Sequence, residues 1–239
     1  MAEGLKRLSQ LALHPVQGAD DVALSGLAVD SREVRPGALF AALPGSTEHG
    51  ARHVAQALAR GAVAVLSDPA GARLAGLALA AHPGVALVVA EAPREALARA
   101  AALFYAAQPE VMVAITGTNG KTSAASFTRQ IWAALGHSAA NFGTTGVEGV
   151  FAAPLSHTTP EPVRLHALLA EMAGAGVTHA AMEASSHGLD QRRLEGVRLA
   201  AAGFTSFSHD HLDYHGTLEA YFAAKARLFA ELLPEEGAA

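Results

Sequence analysis

Val111-Met112-Val113-Ala114-Ile115-Thr116-Gly117-Thr118-Asn119-Gly120-Lys121-Thr122 sets an unbroken apolar run against a Gly-rich turn, and Ser123 to Leu135 continues at helical spacing. A buried strand, a turn rich in glycine and a helix N-terminus together make an anion site. Glycine lets backbone N–H groups close around phosphates, and the first helical turn carries the positive end of the helix dipole. Lys121 is placed to reach the β- and γ-phosphates of a nucleotide, and Thr122 to offer its hydroxyl to Mg²⁺. Ile115 stands where the first glycine of the common G-x-x-x-x-G-K-[ST] pattern would be. Thr116, Gly117, Thr118, Asn119, Gly120, Lys121 and Thr122 are read as a nucleotide-binding loop; a tight turn with a surface lysine is the bland alternative.

Working outward, the segments on both sides alternate strand and helix. Gly26 to Val29, Ala38 to Leu43, Ala62 to Leu66 and Val85 to Ala90 read as strands, with helices at Val54 to Arg60 and Arg94 to Ala107. Downstream, a helix at Val163 to Ala173 precedes strands at Val177 to Met182 and Leu199 to Thr205, and Thr217 caps a closing helix that runs to about Leu233. This alternation predicts α/β architecture with largely parallel sheets. The boundary is expected at Gln108-Pro109-Glu110, giving domains 1–107 and 108–239.

Composition narrows the function. Of 239 residues, 51% are hydrophobic and 16% charged, which excludes a disordered chain. With 17 Lys+Arg against 22 Asp+Glu and no basic stripe, nucleic acid is not an expected partner. The absence of cysteine removes thiol nucleophiles and thiolate metal sites. No run approaches the roughly 18 apolar residues of a membrane span, and Met1 to Leu13 carries no apolar leader core. A cytoplasmic protein with no membrane partner is expected.

Three further stretches carry chemistry. Glu183 ends an apolar strand, where α/β sheets bind ligands, and is read as a Mg²⁺ ligand; a carboxylate that merely caps the next turn is the alternative. Ser208-His209-Asp210-His211-Leu212-Asp213-Tyr214-His215-Gly216 invites a zinc reading through His209, His211 and His215, but beside a phosphate loop a Mg²⁺ site taking His211 is the economical choice. On the closing helix Leu218, Tyr221, Phe222, Leu228, Phe229 and Leu232 form an apolar stripe with Lys225 near its middle. Periodicity alone places a snorkelling lysine first. An inward lysine would instead lose pKa by desolvation, and its neutral amine could add CO₂ to become an anionic carbamate. Taken alone, the loops around Asp30-Ser31-Arg32 and Ser46-Thr47-Glu48 read as ordinary turns.

Asp30-Ser31-Arg32 with Pro36-Gly37 and Leu39-Phe40, the loop Gly117 to Thr122, Thr158-Thr159-Pro160, Glu183 to Leu189, Asp210 to Gly216 and Ala223-Ala224-Lys225 occur in the order seen in the Mur ligases. The chain resembles that family over essentially its whole length, and most of all the branch that adds a third residue to UDP-N-acetylmuramoyl-L-alanyl-D-glutamate. The resemblance implies an N-terminal α/β UDP-binding domain followed by a P-loop-type α/β ATPase domain. The latter is expected to be incomplete at its C-terminus, with a third, amino-acid-binding domain absent and the isolated chain inactive. It implies ATP-driven amide formation through an acyl phosphate, with Lys121, His211 and Lys225 catalytic and Mg²⁺ held by Thr122, Glu183, His211 and N6-carboxylated Lys225. Substrate contacts are implied at Val29, Ser31, Ser46, Thr47 and Glu48 in the first domain, and at His157, Thr158, Thr159, Ser185, Gln191 and Arg193 in the second. A monomer is expected, and the third amino acid stays open between diaminopimelate, lysine and ornithine. A non-catalytic fragment that binds the UDP-muramoyl peptide, and a related amide ligase such as half of a cyanophycin synthetase, remain the alternatives.

Overall fold

The computed structural model describes residues 4–239, so Met1 to Glu3, part of the stretch read for a leader, lie outside the described residues. The chain divides into the units Met1–Tyr105 and Ala106–Ala239.

In the first unit β1 (Lys6–Arg7) pairs antiparallel with β3 (Ala23–Leu24), beside a sheet of β2 (Pro15–Gln17), β4 (Gly26–Ala28), β5 (Ala38–Ala41), β6 (Ala64–Ser67) and β7 (Ala86–Val89). The sheet order is β2-β7-β6-β5-β4, parallel except for β2 at the edge. Helices α1 (Val54–Ala59), α2 (Pro69–Leu74), α3 (Gly76–Ala80) and α4 (Pro93–Tyr105) complete the unit. Asp68-Pro69 follows β6 and opens a helix. The Asp68 carboxylate accepts from the Gly71 N–H at 2.6 Å and Pro69 occupies the first turn, so the pair starts α2, which the sequence pattern leaves unmarked. Tyr105 ends α4, and Ala106 follows in the left-handed region at φ 59°.

The second unit contains β8 (Val111–Thr116), α5 (Lys121–Ala134), β9 (Ala139–Gly143), β10 (Gly146–Gly149), α6 (Pro162–Gly174), β11 (His179–Glu183), α7 (Ser186–Asp190), β12 (Leu199–Phe204), α8 (Leu212–His215) and α9 (Leu218–Arg227). Its sheet order is β10-β9-β11-β8-β12, with only β10 antiparallel. One face is covered by α6, whose Leu165, Leu168, Leu169 and Met172 pack with Met112, Phe142, Met182 and Leu228. Full burial of each such side chain contributes about 2 kcal/mol. On the other face Ile115 and Ala181 meet Ala125 of α5. Gln108, on the connector, belongs to this unit: its side chain donates to the Gly196 carbonyl and accepts from the Arg198 N–H at 2.9 Å.

The closing helix differs from its expected form. Thr217 is its N-cap, accepting from the Ala220 N–H at 3.1 Å, but α9 ends at Arg227 and a π-turn, Leu228–Leu232, follows. Tyr221, Ala224, Lys225 and Leu228 are the buried residues, whereas Phe222, expected in the apolar stripe, is 50% exposed. The inward face therefore lies along Tyr221, Lys225 and Leu228, with Phe222 rotated to its flank. Among the described residues no helix is long and apolar enough to cross a membrane.

Candidate functional site

Parallel pairing sets Ile115 beside Glu183 and Thr116 beside Phe204, so the C-terminal ends of β8, β11 and β12 open at one edge of the sheet. This is the crevice where open α/β sheets take ligands. The Gly-rich loop fills it, with Gly117 at φ 137° and Gly120 at φ 87°, conformations that L side chains rarely adopt. A Cβ on Gly117 would also lie 2.0 Å from the Thr205 hydroxyl oxygen. Residues after β12 lace the loop: the Thr205 hydroxyl donates to the Asn119 carbonyl at 2.6 Å, the Ser206 carbonyl accepts from the Thr118 N–H at 2.7 Å, and the Ser206 hydroxyl accepts from the Asn119 N–H at 3.0 Å.

Lys121 folds back over the loop, its ammonium donating to the Gly117 and Thr118 carbonyls, both at 2.9 Å, and desolvation lowers its pKa. The Thr122 hydroxyl donates to Glu183 Oε1 at 2.9 Å. Glu183 is 2% exposed, and Thr144 holds it with its backbone N–H at 2.8 Å and its hydroxyl at 3.2 Å. A second hydroxyl, of Thr158, lies 3.0 Å from that of Thr144. Gly143 supplies the room, since a Cβ there would stand 2.1 Å from Glu183 Oε1. Gly143, Thr144 and the loop-lacing role of Thr205 escaped the sequence reading. The Gly143-Thr144-Thr145-Gly146 turn was the available signal for the first two, and it was obscured because Ala139-Ala140-Asn141-Phe142 lacks the β-branched residues that mark a strand.

Lys225 does not snorkel. It is 1% exposed, its ammonium donates to the Gly117 carbonyl at 2.8 Å and it lies 4.5 Å from the centre of the Tyr221 ring. Desolvation, with the nearby charge of Lys121, lowers its pKa to about 8. Tyr221, fully buried, also brings its hydroxyl within 3.2 Å of that of Thr118, so α9 is tied to the loop at two places.

His211 stands apart from Thr122 and Glu183 in its contacts. It caps α8 in the left-handed region at φ 52°, with its ring against those of His187 and Tyr221 at 4.8 and 6.1 Å. Among the described residues no group of three or more His, Asp or Glu side chains gathers as a metal site. The expected ligands thus fall into the touching pair Thr122 and Glu183, Lys225 on Gly117, and His211 on His187. Hard oxygen donors from a hydroxyl and a buried carboxylate, beside a helix N-terminus, suit Mg²⁺ bound together with phosphate oxygens.

The residues expected to touch a peptide substrate adjoin this edge. Thr159 is buried, donating to the Glu183 carbonyl at 2.9 Å and accepting from the Ser185 N–H at 3.0 Å. The Ser185 hydroxyl caps α7, and Arg193 donates to the Thr159 carbonyl at 2.6 Å and to Gln191 Oε1 at 2.7 Å. His157 is exposed beside Ser156, at 3.0 Å. In the first unit a cleft of about 610 Å³ is lined by Val29, Asp30, Ser31, Arg32, Phe40, Glu48, Gly50, His53 and Gln56. Within it Ser31 donates to Gln56 Oε1 at 2.6 Å, and Glu48 meets His53 at 3.0 Å. The Arg32 side chain, bonded to Asp30, holds the Asp30 carboxyl at about 2. Ser46 and Thr47 are exposed on the loop just before Glu48.

Residues 115–239 match the model described as Mur ligase middle domain, and residues 23–105 that described as Mur ligase family, catalytic domain. The chain is 56% identical over 218 residues to the UDP-N-acetylmuramoyl-L-alanyl-D-glutamate--2,6-diaminopimelate ligase of Rhizobium meliloti, covering 91% of this chain and 43% of that protein. It is 50% identical to the ligase of the same name from Caulobacter vibrioides, covering 96% of this chain and 46% of the relative. A solved structure with that name superposes with a TM-score of 0.70 at 36% identity, over 87% of this chain and 41% of the other. A MurF from Acinetobacter baumannii, at 19% identity and a TM-score of 0.62, shares the fold. The chain spans less than half the length of these relatives. With its Gly-rich loop and the helix that follows inside a domain model that matches more than half of its residues, the chain belongs to the Mur ligase family.

Proposed function

We propose that the protein acts in an ATP-dependent amide ligation that joins 2,6-diaminopimelate to UDP-N-acetylmuramoyl-L-alanyl-D-glutamate, and that these 239 residues carry the UDP-substrate and ATP sites. The observation that carries the reading is the contact of Thr122 with buried Glu183 at the mouth of the Gly-rich loop. The ligase names of the relatives support the choice of diaminopimelate. When bound, ATP supplies the phosphoryl group that activates a substrate carboxylate as an acyl phosphate, and Mg²⁺ offsets the charge of the anions brought together.

Each residue then has a limited task. The loop's backbone and the α5 N-terminus bind phosphate, and Lys121 adds a cation. Thr122 and Glu183 would hold Mg²⁺, with His211 and N6-carboxylated Lys225 as further ligands. Burial favours the neutral Lys225 amine, whose lone pair attacks CO₂ as the nitrogen releases a proton, and a buried cation becomes an anion. Arg193 and Gln191 would orient the peptide carboxylate, with Thr158, Thr159, Ser185 and His157 around it. The first-unit cleft at Val29, Ser31 and Glu48, with Ser46 and Thr47 on its approach, would take the UDP moiety.

Calorimetry with UDP-N-acetylmuramoyl-L-alanyl-D-glutamate and with ATP on the 239-residue chain tests the reading. Binding of both is expected. A chain that binds neither, while folded by circular dichroism, overturns it.

A further inference from the structure

We propose that Tyr214 is a positioning residue that ties the substrate-side residues Gln191 and Arg193 to His211. The proposal rests on the reading above for the roles of those three residues, and deepens it. Helix α8 is a single turn that buries none of its side chains, bracketed by two left-handed residues, His211 at φ 52° and Gly216 at φ 77°. A non-glycine residue held there costs about 1 kcal/mol, so specific contacts must hold the turn.

Tyr214 provides such contacts. Its hydroxyl donates to Asp190 Oδ2 at 2.8 Å and accepts from Gln191 Nε2 at 3.2 Å, while its ring packs 4.2 Å from that of His187. The same His187 ring meets His211 at 4.8 Å. On the other side Gln191 accepts from Arg193, which donates to the Thr159 carbonyl. A continuous set of bonds therefore runs from Thr159 through Arg193, Gln191 and Tyr214 to the turn that begins at His211. An anionic peptide carboxylate engaging Arg193 and Gln191 competes for the Gln191 amide, and that competition alters the hold on Tyr214 and hence the placement of His211.

Tyr214→Phe keeps the ring and deletes the hydroxyl of a partly exposed residue, so the fold is expected to survive with an unchanged thermal midpoint. The readout is the His211 ring signal in the NMR spectrum of the 239-residue chain, assigned with His211→Gln. Tyr214→Phe and Asp190→Ala should each move that signal, while Gln130→Ala on α5 leaves it in place. Adding the UDP-muramoyl dipeptide should shift it in the parent and much less in Tyr214→Phe. An unmoved His211 signal in Tyr214→Phe, or an equal dipeptide-induced shift in parent and variant, overturns the proposal. If the parent binds no dipeptide, the functional reading fails, and the shift in Tyr214→Phe without ligand decides the positioning role by itself.

Discussion

The Lys225 ammonium and the Gly117 carbonyl meet at 2.8 Å, although 108 residues separate them. Lys121 donates to the same oxygen at 2.9 Å, so two cations share one neutral acceptor. Burying a charge so weakly compensated destabilises the fold. In CO₂-free buffer without nucleotide or Mg²⁺, where Lys225 is the uncarboxylated amine, Lys225→Met, of similar length, is therefore expected to raise the thermal midpoint at pH 7. The sign with pH follows, because the folded-state pKa of about 8 lies below the ordinary 10.5. Between these values the unfolded chain holds the extra proton, so the parent gains stability as pH rises and the advantage of Lys225→Met shrinks. Thermal melts of both proteins from pH 7 to 11 check this, and a variant less stable than the parent at pH 7 refutes it.

Lys121→Ala should remove most ATP affinity, tenfold or more on the order of a lost charge-assisted contact, and leave the fold intact. The side chain caps loop carbonyls and supports no apolar cluster. Calorimetry paired with thermal unfolding checks the two halves; unchanged ATP affinity sinks the phosphate-loop assignment.

Gly143→Ala forces a methyl group to within 2.1 Å of the Glu183 carboxylate. Overpacking of this kind costs about 1–3 kcal/mol, and the strain falls on the residue expected to hold Mg²⁺. A lowered midpoint in urea unfolding is expected together with weaker Mg²⁺-dependent ATP binding. A variant matching the parent in both would mean that the Glu183 side chain is free to move.

His166 is buried and its ring meets the Glu195 carbonyl through Nε2 at 3.0 Å. Desolvation lowers its pKa from 6.5 to about 4. Unfolding therefore takes up a proton below pH 6.5, and stability falls as the pH drops from there toward 4, by about 3 kcal/mol in all. His166→Gln, which cannot titrate, should flatten the stability profile across that range, as read from urea unfolding at several pH values. An equally steep profile would place the acid sensitivity elsewhere.

What the sequence determines by itself is local. The strand, loop and helix from Val111 to Ala134, the cap at Thr217 and the acid at the end of β11 depend on residues within a few positions of each other. Periodicity, capping chemistry and glycine's freedom are local physics and need no tertiary knowledge. The order of the motifs likewise sufficed for the family resemblance. The sheet order lay beyond that reach, and it alone decides who meets whom. Because β11 lies between β8 and β9, Glu183 receives Thr122 from one side and Thr144, 39 residues distant in sequence, from the other. The direction of Lys225 also depended on tertiary structure: its place in an apolar stripe fits both a snorkelling stem and an inward amine, and only the packing of α9 on the loop, through Tyr221 and Thr118, closes the route to water. Those contacts bring together residues about a hundred positions apart, and their geometry comes from the packing of the whole sheet and its helices rather than from any local preference of the chain.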